Sequence, residues 1–166
     1  MKYSTKKITT LALTVSLALI FSFIESRIPA FVAIPGIKVG LANIAVIFTL
    51  YKLGAKEAIG VSILRVFLVS FLFGTPISLI YSITGATLSL AVMIILKKLT
   101  PLTEVTISVS GAIMHNVGQI LAASFMLATN VIVYYLPFLI LSGTMAGIAV
   151  GSVSALLIKK VKLNIK

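Results

Sequence analysis

Cysteine and aspartate are absent from this 166-residue chain, and its only acids are Glu25, Glu57 and Glu104. Without cysteine there is no disulfide, no thiolate nucleophile and no thiolate-bound metal. Without aspartate, and with the three glutamates far apart in sequence, there is no carboxylate cluster for a hard cation. A single histidine, His115, makes a poor metal site by itself. No metal and no cofactor is therefore expected. Charged residues make up 10% of the chain, against about a quarter in soluble domains. Ordinary globular enzymes, disordered segments and coiled coils are excluded.

What is abundant is apolar residue: 60% of the chain, with a mean hydropathy of +1.21. It falls into six runs, and roughly 20 apolar residues cross a bilayer. The runs predict spans over 8–24, 39–53, 55–73, 76–96, 103–128 and 131–158. The expected architecture is an all-α, six-span membrane bundle filling residues 1–166 as one unit. Short loops leave no room for an ATPase, a nucleotide-binding module or a separate catalytic domain. The first run follows Lys2, Lys6 and Lys7 as a signal peptide would, but it is longer than a signal core. Glu25-Ser26-Arg27-Ile28-Pro29 stands where a small-residue cleavage site would be. It reads as an uncleaved helix.

The formal charge of +11 would point to nucleic acid in a soluble chain. Here it follows the loops instead. Lys2, Lys6, Lys7, Lys52, Lys56, Lys97, Lys98, Lys159, Lys160, Lys162 and Lys166 all fall on one predicted side, and only Arg27 and Lys38 on the other. Basic loops stay cytoplasmic, so both termini are expected inside a cell membrane, with no nucleic-acid partner. The outer segment 25–38 carries Pro29, Pro35 and Gly36 around an apolar stretch. It is expected to fold over the outer mouth of the bundle as a cap. Gly143, Gly147 and Gly151 recur every fourth residue, spacing that brings helix backbones close. Packing within the monomer is the expectation for them. Ser78, Ser82, Gly85 and Ser89 form a similar row in the fourth span.

Polar groups inside spans are costly and point to function. Arg65 stands mid-span, and His115, Asn116 and Gln119 crowd one turn of the fifth span. Lys38 and Asn43 open the second span, Glu25 closes the first, and Tyr81, Tyr134 and Tyr135 stand at outer ends, where an aromatic belt is the simpler account. Combined with the predicted topology, this set converges on the outer half of the bundle. The expected site is an outward pocket. In it Arg65 contacts an anion, Lys38 and Arg27 gather negative charge, and Asn43, His115, Asn116 and Gln119 orient the ligand. Glu25 is expected to pair with Arg27 or Lys38, and Tyr81 to join the binding set.

Glu25-Ser26-Arg27-Ile28-Pro29, the run Pro35 to Asn43, Arg65 and His115-Asn116-Val117-Gly118-Gln119 resemble the Gx transporter family, as do Tyr134-Tyr135-Leu136-Pro137 and Ser142-Gly143. Its members are also labelled component I of heptaprenyl diphosphate synthase. The family is similar to the substrate-binding S-components of energy-coupling-factor transporters. The resemblance implies an outward pocket under a loop, and partnership with a membrane coupling subunit and ATPases. It also implies docking through the small-residue face of the first helix, here Ala12 and Ser16. The expected function is substrate binding for uptake of a small anionic, vitamin-like or phosphorylated solute. The alternatives are a noncatalytic membrane anchor for a prenyl synthase subunit and a stand-alone secondary carrier. Catalysis by this chain alone is rejected, because diphosphate chemistry needs metal-holding carboxylates.

Overall fold

The computed structural model describes residues 4–27, 40–129 and 131–163. Helices are α1 (Thr5–Arg27), α2 (Asn43–Lys52), α3 (Ala55–Phe73), α4 (Pro76–Leu99), α5 (Glu104–Leu127) and α6 (Leu136–Lys160). A 3-10 turn, Val131–Tyr135, leads into α6. No strand occurs among the described residues.

Local chemistry accounts for the helix ends. Pro76 sits in the first turn of α4, and the Thr75 and Ser78 side chains cap each other's backbone N–H in a capping box. Thr103 caps α5 by accepting from the Thr106 N–H. Two glycines turn the chain where other residues would be strained: Gly40 at φ +75 before α2, and Gly54 at φ +121 between α2 and α3.

Two of the expected spans differ. The second, expected over 39–53, is a helix of only 10 residues, about 15 Å long at 1.5 Å per residue and half the usual hydrocarbon thickness. The positive φ of Gly40 and the turn that follows it stop the helix from starting earlier. The sixth, expected from 131, is a 3-10 turn followed by α6, which opens on Leu136-Pro137. Among the described residues, four segments are long and apolar enough to cross a membrane: Thr5–Arg27, Pro76–Leu99, Glu104–Leu127 and Val131–Lys160. The helix α3 has the length, at 19 residues, but carries Lys56, Glu57 and Arg65.

The helices close a ring. Around it, α1 packs on α3, α3 on α4, α4 on α5, α5 on α6, α6 on α2 and α2 back on α1, with α2 also touching α3. The expected helix-packing glycines lie in the tightest seam. A Cβ on Gly147 would stand 2.6 Å from the Val109 Cα, and one on Gly151 2.8 Å from the Val105 Cα, so α6 rests directly on the α5 backbone. The outer surface is apolar, with Phe71 92% and Phe125 89% exposed. With the long apolar helices, that surface marks a membrane protein.

The lysine-bearing end of the ring, called the basic end below, is sealed. Ile47, Leu50, Ala58, Met93 and Ile107 are almost fully buried there in one cluster. Two lysines fasten the helix ends around it. Lys7 pairs with Glu57 at 2.5 Å, joining α1 to α3. Lys97 donates to the Leu50 carbonyl at 2.6 Å and lies over the Tyr51 ring, joining α4 to α2. Ala12 and Ser16 both lie on the exposed face of α1, while Thr14 and Ala18 are buried.

Candidate functional site

The ring encloses a cavity of about 310 Å³. It reaches from Glu25, Ser26 and Thr75, at the end away from the lysines, down to Met93 and Ser108 above the sealed basic end. Depth can be counted along each helix from the basic end. Arg65 is ten residues from Ala55, about 15 Å. Asn43 is nine from Lys52, about 13–14 Å. His115 is eleven from Glu104, about 16–17 Å. The three stand level, near half-depth.

This corrects the placing of Asn43 at the outer edge. A ten-residue α2 begins in the middle of the bundle, so its first residue meets the middle of α3. There the Arg65 Nη1 donates to the Asn43 Oδ1 at 3.2 Å. The Arg65 Nε is buried and has no hydrogen-bond partner. The positive end of the α2 dipole lies at the same place. Half-helices ending at mid-membrane are a recurring way to hold an anion there.

Glu25 lines the cavity, and its carboxylate accepts from the Gly40 N–H. The expected ion pair with Arg27 is not formed: Arg27 is exposed and lies 5.0 Å over the Phe23 ring. The last turn of α1 aims the two side chains apart, one inward to α2 and one outward along its own helix. Arg27 and Tyr81 are not among the cavity-lining residues. Lys38, and with it most of the cap segment 25–38, lies outside the described residues.

His115, Asn116 and Gln119 all line the cavity. They do not have equal freedom to orient a ligand. The Asn116 Nδ2 donates one N–H to the Leu139 carbonyl at 2.6 Å, tying α5 to α6, so its second N–H and its side-chain carbonyl are left for another partner. Gly143 makes room for this bond, since a Cβ there would stand 2.8 Å from the Asn116 Nδ2. His115 lies against Gly85, where a Cβ would meet the His115 Cε1 at 3.0 Å and its carbonyl oxygen at 2.9 Å. Glycine at 85 sets how close the imidazole stands to α4.

Sequence reasoning missed the serines. Ser22, Ser70, Ser78, Ser82, Ser89 and Ser108 all face the cavity. Ser89 and Ser108 carry polar lining into the basic half, where few polar groups were expected. The signal was there in α4: positions 78, 82 and 89 share one helical face, though the row reads equally well as a packing stripe. Arg65, expected as the main anion contact, thus lies in a cavity whose lining is more polar than the expected set alone.

The sequence profile of a family described as heptaprenyl diphosphate synthase component I matches residues 14–157. The chain belongs to that family. No curated protein and no solved structure matches it. The matched range of this component I family member takes in every cavity-lining residue described above. Three or more histidine, cysteine, aspartate or glutamate side chains do not come together as a metal-holding group among the described residues. In this component I protein the described lining instead offers one guanidinium, one carboxylate, amides, an imidazole and hydroxyls. Groups of these kinds can contact a polar solute by charge and hydrogen bonds.

Proposed function

We propose that this component I family protein is the solute-binding membrane subunit of an uptake system, taking a small, partly apolar anion from the outer face. One observation carries the reading. Arg65 lines a mid-depth cavity with a single neutral amide as its described hydrogen-bond partner and its Nε buried without one. A guanidinium in a low-dielectric bundle needs carbonyls, water or an anion around it. A bidentate carboxylate or phosphate suits its planar fork. The positive-inside count supports an orientation with the lysine end in the cytoplasm, so that the sealed end faces in and the cavity out. The six helices then form six membrane elements, with α2 a half-span. Cavity size also bears on the ligand. About 310 Å³ equals roughly ten waters at about 30 Å³ each, the scale of a compact metabolite. In this reading a separate coupling subunit with ATPases energises uptake; a stand-alone secondary carrier would draw on a gradient instead.

The family description favours a second reading, a noncatalytic membrane component working beside a prenyl synthase subunit. One experiment separates the two. The tagged chain is purified from its own membranes in mild detergent, and bound proteins and small molecules are identified together. A coupling subunit with ATPases and a bound organic anion are expected. A prenyl synthase subunit with no bound solute would replace the uptake reading with the second.

A further inference from the structure

We propose that the cavity selects a compact carboxylate monoanion over a dianion such as a phosphate monoester, and that Glu25 sets this limit. The proposal rests on the solute-binding reading and adds the charge of the ligand.

Charge inside the cavity is sparse. Among the described cavity-lining residues, Arg65 and Glu25 are the only ones of the Lys, Arg, Asp and Glu types. They do not neutralise each other by contact, since no salt bridge joins them among the described residues. Each is held by a neutral group instead: Arg65 by the Asn43 carbonyl, and Glu25 by the Gly40 N–H. Asn43 and Gly40 belong to the same short stretch at the start of α2, so both charges are anchored to one backbone turn. Both side chains line the same cavity, so a solute that reaches the guanidinium is exposed to the Glu25 charge as well.

A first negative charge entering this space meets the guanidinium and the positive end of α2, worth about half a unit charge. A second negative charge on the same group must share that one guanidinium, adds its own desolvation cost and meets Glu25, with no further cation in the described lining. At an effective dielectric near 20, two like charges several ångströms apart repel strongly enough to change binding by about tenfold or more. The remaining lining supplies hydroxyls and apolar surface, among them Ser70, Ser82, Val66, Val69 and Ala146. That surface suits a partly apolar body and offers a second phosphate charge no compensation.

The test uses matched probes on the full chain in detergent at pH 8. Benzoate is a monoanion there, and phenyl phosphate is doubly ionised because its second pKa lies near 6. Binding is measured by calorimetry for wild type, Glu25→Gln, Glu25→Asp and Arg65→Gln, with the melting temperature of each as a folding control. Glu25→Gln keeps an acceptor for the Gly40 N–H, so it removes the charge while retaining that contact. Wild type should bind benzoate about tenfold or more tightly than phenyl phosphate. Glu25→Gln should close most of the gap through tighter phenyl phosphate binding, Glu25→Asp should preserve it, and Arg65→Gln should lose both ligands. Equal or tighter phenyl phosphate binding by wild type, or a gap unchanged in Glu25→Gln, would overturn the proposal. If Arg65 were still needed for both probes in that case, the solute-binding reading would stand. If neither probe bound wild type, both would fall.

Discussion

Replacing glycine by alanine should have opposite signs at two places in this bundle. At Gly118, on α5, an added Cβ would stand 2.8 Å from the Thr84 carbonyl oxygen and 2.9 Å from the Gly85 Cα. Both neighbours are backbone, so neither can swing aside as a side chain would. Overpacking of this kind costs about 1–3 kcal/mol. Alanine returns up to about 1 kcal/mol through its better helix propensity. With both contacts to backbone and below 3.0 Å, the upper part of that range applies, about 2–3 kcal/mol, so the net loss is about 1–2 kcal/mol. At Gly60, on the exposed face of α3, an added Cβ meets nothing within 4 Å. Only the propensity gain remains there, about 0.5–1 kcal/mol in favour of the variant. For a chain of this length 1 kcal/mol moves the melting temperature by about 2–4 °C. Gly118→Ala should thus melt about 2–8 °C lower in detergent, and Gly60→Ala up to about 4 °C higher, by intrinsic tyrosine fluorescence or a scattering-monitored ramp. The close approach of α4 and α5 also holds His115 against Gly85, so Gly118→Ala should weaken solute binding as well. If both variants shifted the same way, or Gly118→Ala were neutral, the backbone contact between α4 and α5 would be wrong.

Three further outcomes are expected. Arg65→Lys should keep the fold and the charge but lose about 2–5 kcal/mol of affinity for the co-purified anion, because an ammonium cannot present the guanidinium fork; normal binding by the lysine variant, measured by calorimetry, would remove the bidentate role. Single cysteines placed at Ser4, Ala33, Thr100 and Ile165 in the cysteine-free chain should react with an impermeant thiol reagent added outside cells only at position 33, and labelling at position 100 would reverse or break the topology. Leucine at both Ala12 and Ser16, exposed on α1, should weaken assembly with the coupling subunit in a pull-down while solute affinity stays within about twofold, roughly 0.4 kcal/mol; unchanged assembly would move the docking face elsewhere.

Composition and order along the chain determined the class of this protein. Hydropathy is additive over a window, so six apolar runs, the lysine bias and the misplaced Arg65 and His115-Asn116-Gln119 groups can be read without knowing which way any helix faces. So can membership of a family, which rests on residue identities in order. The tertiary structure alone decided which polar groups meet. These helices are apolar nearly all round, so little amphipathic contrast reveals which face turns inward, and serines that line the cavity read as packing residues. The length of α2 turned on the backbone at Gly40, and it moved Asn43 from the presumed rim to half-depth, within reach of Arg65. Glu25 and Arg27, two residues apart, diverge because the last turn of α1 points one at the Gly40 N–H and the other over Phe23. The Asn116 amide reads in sequence as a ligand group, and the structure adds that the Leu139 carbonyl on α6 takes one of its two N–H donors at 2.6 Å. Rotation, tilt and helix length settle such contacts, and they depend on how all six helices pack together rather than on any local window of sequence.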